Sequence, residues 1–144
     1  MKTDPIVVER TFDISSDYIW KALTDVGELQ KWYFKLPEFE AKVGFKFEFF
    51  GGSEEKQYLH LCEVTTVEEG NKIAYSWRYD NYPGTSVVCW QLIDKGEKTI
   101  LRLTHQGLHT FEENGKDFQK SSFQEGWNYF VHTAIKEYLE QIGV

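Results

Sequence analysis

From Phe39 onward the apolar residues of this chain recur with a period of 2, and they keep that period for roughly 65 residues. Phe45, Phe47 and Phe49 alternate with Lys46 and Glu48, between turns at Val43-Gly44 and Gly51-Gly52, which predicts a hairpin. Gln57 to Thr66, Lys72 to Tyr79, Thr85 to Ile93 and Lys98 to His105 repeat the alternation. They are separated by Glu69-Gly70-Asn71, Asn81-Tyr82-Pro83-Gly84 and Asp94-Lys95-Gly96. Connections this short join only antiparallel neighbours, because a parallel pair needs a long crossover. The middle of the chain is therefore an antiparallel meander, and its apolar face requires a cover.

The cover is expected at the C-terminal end, from about Ser121 to Ile142. At 100° per residue, Phe123, Trp127, Phe130, Val131, Ala134, Ile135, Tyr138 and Ile142 fall in one broad sector with Leu139 at its edge, the pattern of an amphipathic helix. Ser121 with Gln124, or Ser122 with Glu125, can close a capping box at its start. A helix of about 20 residues is about 30 Å long, the width of six or seven strands at about 4.8 Å each. Gly126 inside this helix costs about 1 kcal/mol against alanine, and close approach of backbone or of the preceding loop is the reason expected for it.

Before the meander, Ile6, Val8, Phe12 and Ile14 alternate with Val7, Glu9, Thr11 and Asp13 as a half-buried strand, with Arg10 on its apolar side. A charge there must reach water at an edge, meet a carboxylate, or meet an anionic ligand head. Ser15 or Ser16 caps a short helix carrying Ile19, Trp20, Ala22 and Leu23. Thr24-Asp25-Val26-Gly27 ends it, and a second short helix holds Leu29 and Trp32. The fold class expected is α+β: a curved antiparallel sheet of six to seven strands around one long C-terminal helix, with two short helices after the first strand, as a single domain over residues 1–144.

Composition narrows the function classes. The net charge is −7 with dispersed Lys and Arg, which works against nucleic acid as a partner. No apolar run approaches a membrane span, and Met1-Lys2-Thr3-Asp4 leads directly into the first strand, so a cytoplasmic location is expected. Cys62 and Cys89 lie inside strands without CxxC spacing and read as packing residues.

Several stretches together resemble a known family. Phe12-Asp13-Ile14, Tyr18-Ile19-Trp20-Lys21-Ala22-Leu23-Thr24-Asp25, then Leu29 and Trp32-Tyr33 are similar to the opening signature of the domain named for the activator of the Hsp-ninety ATPase. Val43-Gly44, Tyr75-Ser76-Trp77, Thr99 to Leu108 and Gly126-Trp127 resemble its later landmarks in the same order. The resemblance implies the helix-grip superfamily, with a hydrophobic cavity between helix and sheet, and a role in stress response among its members. Where the family often has a glycine pair, this chain has only Gly44 followed by Phe45, which places an aromatic at the cavity mouth.

The chemical motifs are weak beside the aromatic content. His105-Gln106-Gly107-Leu108-His109 has metal-like i, i+4 spacing but lies at a strand end and turn, so no metal is expected and His105 reads as a residue at the cavity rim. His60 and Cys62 share a strand face without a third orienting group, and read as packing rather than as base and nucleophile. No phosphate loop, nucleotide fingerprint or nucleophile elbow is present, no catalytic residue is assigned, and no cofactor is expected. The candidate ligand-binding residues are Phe45, Phe47, Tyr75, Trp77, Trp90, His105, Phe123, Trp127 and Phe130, with Tyr and Trp polar tips and His105 to orient a small hydrophobic molecule. Two further readings stand beside that binding module. One is a co-chaperone-like protein partnered with an Hsp-ninety-type ATPase, although the eukaryotic activator has an extra N-terminal domain. The other is a cyclase or hydrolase-like enzyme needing His105, Tyr75 or Tyr58 to converge in the pocket.

Overall fold

The computed structural model of the chain describes residues 4–52 and 55–143. The first three residues of the expected N-terminal lead and Val144 lie outside the described residues. Strand β1 (Ile6–Phe12) is followed by helices α1 (Ser16–Thr24) and α2 (Val26–Trp32). Strands β2 (Lys46–Gly52), β3 (Gln57–Glu68), β4 (Lys72–Tyr79), β5 (Ser86–Asp94) and β6 (Thr99–Gln106) form the meander. The six-stranded sheet has the order β1-β6-β5-β4-β3-β2, antiparallel throughout, so β1 and β2 are its two edges. The segment carrying α1 and α2 therefore crosses from one edge to the other.

Both short helices start where local chemistry puts them. The Ser15 side chain accepts from the Asp17 N–H at the start of α1, and Asp25 accepts from the Glu28 N–H at the start of α2. A bulge between Val64 and Thr66 interrupts the β3–β4 register, and bulges of this kind bend a strand and increase its twist. One face of the sheet is thereby concave. Phe47, Phe49, Cys62, Val64, Tyr75, Trp77, Tyr79, Val88, Trp90, Leu101 and Leu103 all belong to the single buried core cluster on that face.

The terminal helix runs as α3 (Lys120–Tyr129), a π-helical turn (Phe130–Ala134) and α4 (Ile135–Gln141). Its buried positions include Trp127, Val131, Ala134, Ile135, Tyr138 and Leu139, which is the sector read from the 3.6 period; Ile142 is exposed. The capping boxes at Ser121 and Ser122 are not formed. Gln119 holds the N-cap position without a side-chain cap bond, its amide donating instead to the carbonyls of Glu112 (2.7 Å) and Gly115 (2.9 Å). Ser122 donates to the Lys116 carbonyl at 3.3 Å. The helix starts a residue early because the two 3-10 turns before it, Leu108–Asn114 and Lys116–Phe118, deliver the chain already coiled.

Among the described residues Arg10 meets no carboxylate. Its guanidinium lies 5.6 Å from the Phe12 ring centroid and donates to the His132 carbonyl at 3.4 Å, within the π-helical turn. A π turn opens the regular i to i−4 ladder, and a cation from the edge strand sits against the opened stretch.

A candidate ligand cleft between the terminal helix and one end of the sheet

An open cleft of about 520 Å³ lies between α3 and the β2–β3–β4 end of the concave face. The size is in the range of small-molecule sites. Phe123, Gly126, Trp127 and Phe130 form its helix wall, with Ser122, Glu125 and Tyr129 toward the surface. Tyr58, His60, Trp77 and Tyr79 form its sheet wall, with Gly51 and Gly52 at the edge. Phe34, from the loop after α2, and Asp117 and Phe118, from the second 3-10 turn, complete it.

Alternation explains the sheet wall. His60 pairs with Tyr79, and Cys62 with Trp77, across β3 and β4, so all four side chains share the concave face. His60 stacks on Phe49 at 4.5 Å and 16°, and Trp77 and Tyr79 stand edge-on or tilted to it at 4.9 and 4.6 Å. Phe34 bridges sheet and helix, with ring centroids 4.6 Å from Phe49 and 5.0 Å from Phe130. This bridge requires Gly51: a Cβ there would lie 2.7 Å from Phe34 Cε1 and 3.0 Å from His60 Cε1.

Gly126 has the opposite role from the one expected. A Cβ on it would meet nothing within 4 Å. Neither backbone nor loop approaches it; it fronts the cleft, and its missing side chain is part of the open space.

Of the nine candidate binding residues, Trp77, Phe123, Trp127 and Phe130 line this cleft. The other five do not. Phe45 packs edge-on to Phe39 rather than at the mouth, and Phe47 lies between Phe39 and Tyr75. Tyr75 and Trp90 are held in a sealed polar cluster: the Trp90 indole N–H donates to the Tyr75 hydroxyl at 3.0 Å, and the Tyr33 hydroxyl lies 2.8 Å from the same oxygen. Burial pushes both phenols well above their ordinary range.

His105 is not at the rim but fully buried. Its surroundings fix its protonation. The Trp127 Nε1–H, which can only donate, points to His105 Nδ1 at 3.0 Å, so the ring proton is on Nε2. That proton goes to Ser86 Oγ at 2.8 Å, and Ser86 in turn donates to the Trp77 carbonyl at 2.8 Å. The chain ties α3 to β6, β5 and β4 beneath the cleft floor. Burial lowers the His105 pKa to about 3, with the His60 ring adding to the shift.

His109 lies apart, on an exposed turn. His60 does not activate Cys62. Its Nδ1–H donates to the Tyr58 carbonyl at 2.9 Å, and burial pushes the Cys62 thiol far up, against thiolate formation. Burial also lowers the His60 pKa to about 4, opposed by the carbonyls of Tyr58 and Phe49. Tyr58 alone of the three proposed chemical groups reaches the cleft, and it donates to Asp117 Oδ2 at 2.7 Å.

Sequence reasoning missed Phe34, His60, Tyr79 and Phe118 as wall residues, and named Tyr58 for the pocket only under the enzyme reading. The signal for Tyr79 and His60 was available, since both alternate in phase with Trp77. Phe34 and Phe118 come from non-periodic segments and carried none.

A curved antiparallel sheet gripping a long C-terminal helix over an aromatic cleft defines the class as a helix-grip α+β protein. The model of the family described as activator of Hsp90 ATPase homolog 1-like protein matches residues 13–140, and the chain belongs to that family. Comparison with curated protein sequences gives no significant match. Among solved structures, DynU16, a protein of the dynemicin biosynthetic locus, is similar at 22% identity and a TM-score of 0.76, over 95% of this chain and 47% of that one. This chain thus spans about half of DynU16. MLL2253 from Mesorhizobium loti is 23% identical, with a TM-score of 0.76 over 98% of this chain and 100% of that one. An HSP90 activator from Plasmodium falciparum, PFC0360w, is 20% identical, with a TM-score of 0.70 over 96% of each chain. At these identities the likeness concerns the fold. No helix among the described residues is long and apolar enough to cross a membrane.

Proposed function

We propose that the protein is a binding module that takes up a small hydrophobic or aromatic molecule in the cleft between α3 and the sheet. The observation that carries this reading is the open cleft of about 520 Å³ walled by Phe34, Trp77, Trp127 and Phe130. Apolar walls with a few polar groups are the usual composition of small-molecule sites. The test is native mass spectrometry of the purified protein against a panel of neutral aromatic compounds and lipids. Stoichiometric adducts with some members are expected. No adduct with any would overturn the reading.

The second reading, interaction with an Hsp90-type chaperone, is supported by the family description and by the likeness to the Plasmodium falciparum activator. Its measure is the ATPase rate of such a chaperone with and without this protein: stimulation would support it and an unchanged rate would count against it.

A further inference from the structure

The cleft is lined unlike the core beside it. Nine Phe, Tyr and Trp rings and the His60 imidazole meet it, and no Ala, Val, Leu, Ile or Met stands among its described lining residues. The neighbouring core, by contrast, packs Val64, Ile73, Val88, Leu101 and Leu103 among its rings. A ring differs from an aliphatic group of similar size in one respect that matters here, since its face carries the negative part of a quadrupole. Four of the rings close a circuit. Centroids are 6.0 Å apart for Phe34 and Trp77, 5.5 Å for Trp77 and Trp127, 5.9 Å for Trp127 and Phe130, and 5.0 Å for Phe130 and Phe34. The interplanar angles around it are 58°, 60°, 52° and 59°, the inclination of the walls of a box rather than of a stack. With sides this short, the mean position of the four centroids lies within ~6 Å of each, the reach of a cation–π contact.

The charged groups of the cleft have the matching sign. Asp117 and Glu125 are both exposed carboxylates, and no Lys or Arg is among the described lining residues. His60, its pKa lowered by burial to about 4, is uncharged at neutral pH. Lys56 stands outside the lining with its ammonium 5.3 Å over the Tyr58 ring, so a ring of this wall already faces one cation. We propose that the cleft selects an organic cation whose charged nitrogen bears only carbon, a quaternary ammonium or an N-alkylated heteroaromatic ring, held against Phe34, Trp77, Trp127 and Phe130 with Asp117 and Glu125 on its exposed side. The inference rests on the binding-module reading and names the ligand class of the same site. Such a cation needs no hydrogen-bond acceptor. Its charge is spread over the attached carbons and holds water weakly, so it enters an aromatic cleft at less cost than a compact ammonium does.

The experiment titrates 1-methylquinolinium and 1-methylnaphthalene, which share one shape and differ in charge, into the wild-type protein. Proton–nitrogen NMR reads the binding from the indole N–H resonances of Trp77 and Trp127, which no variant is needed to observe. 1-Naphthoate is the third arm, because the Tyr79 hydroxyl, which accepts from Trp77, keeps a proton that it could give to an anion. The cation is expected to bind about 5- to 30-fold tighter than the neutral hydrocarbon, the range of a desolvated cation–π contact, with naphthoate the weakest of the three. In the double variant Asp117→Asn, Glu125→Gln the cation should lose about 2- to 5-fold, as exposed charge pairs do, and 1-methylnaphthalene should bind as before. Equal or tighter binding of the neutral or the anionic ring would overturn the ligand class while leaving the binding module intact. A cation affinity unmoved by the double substitution would overturn the part given to the two carboxylates. Binding of none of the three, together with a blank mass-spectrometric panel, would overturn both the ligand class and the binding module.

Discussion

The indole N–H of Trp127 donates to Nδ1 of His105 across 3.0 Å of fully buried space, joining the terminal helix to β6 of the sheet. The bond fixes the imidazole tautomer and, through Ser86, reaches the Trp77 carbonyl on β4. Removing the donor without removing the ring isolates its worth. Trp127→Phe should leave His105 Nδ1 without a partner in the core and cost about 1–3 kcal/mol, read as a lower urea midpoint at unchanged slope. A variant as stable as the wild type would mean that the bond contributes nothing.

The two buried imidazoles set a pH dependence. His60 and His105 titrate near 6.5 in the unfolded chain, but in the folded protein burial lowers them to about 4 and about 3. Both folded values are depressed. Their contribution to stability is therefore complete above about pH 6.5 and is lost as the pH falls toward 4, because there the unfolded chain binds protons that the folded chain refuses. At pH 5 the difference approaches two protons, a slope of about 3 kcal/mol per pH unit. Urea midpoints from pH 7.5 to 5 should fall steeply below 6.5, and a flat profile would contradict the burial of neutral histidines.

Tyr75 holds the second polar junction, accepting from Trp90 and bonded to Tyr33. Tyr75→Phe strands two buried groups at once, the indole N–H and the Tyr33 hydroxyl, so a loss of about 2–4 kcal/mol is expected. Tyr33→Phe leaves the Trp90 bond in place and should cost less. Thermal melts of the two variants give the order, and the reverse order would sink this account of the cluster.

Gly51 is required by its neighbours rather than by its own backbone angles. Gly51→Ala forces Phe34 and His60 aside and should cost about 1–3 kcal/mol, as overpacking does. In a Phe34→Ala background the same substitution should cost distinctly less, because the atom 2.7 Å away is gone. Additive losses in the double variant would place the cause elsewhere.

How far the chain could be read in advance follows from where its information is periodic. The strands, the two short helices and the terminal helix were legible because Phe45 to Phe49, Tyr75 to Tyr79 and Phe123 to Leu139 each keep one period over many residues. The start of α3 was not, since Ser121 and Ser122, which suggest a capping box, are the second and third residues of a helix that follows directly on the preceding 3-10 turn. The π-helical turn at Phe130–Ala134 left no mark in the pattern. Half-legible describes the cleft. Alternation identifies the concave face, but Trp77 at the cleft and Trp90 in the sealed core look alike in sequence. Which end stays open depends on Phe34 and Phe118, delivered by irregular segments, and on the side chain that Gly126 lacks.

Gly126 also supplies the most direct test of the cleft as a binding site. A leucine at this position meets no neighbour at its Cβ, gains roughly 1 kcal/mol in helix propensity and extends into the open space. Titrating N-phenyl-1-naphthylamine, a neutral fluorescent aromatic probe, into wild-type protein and Gly126→Leu, with urea unfolding of both, separates filling the cleft from damaging the fold. The account predicts saturable binding to the wild type, and binding lost or at least 10-fold weaker in a variant at least as stable. Equal binding by the two proteins would contradict it.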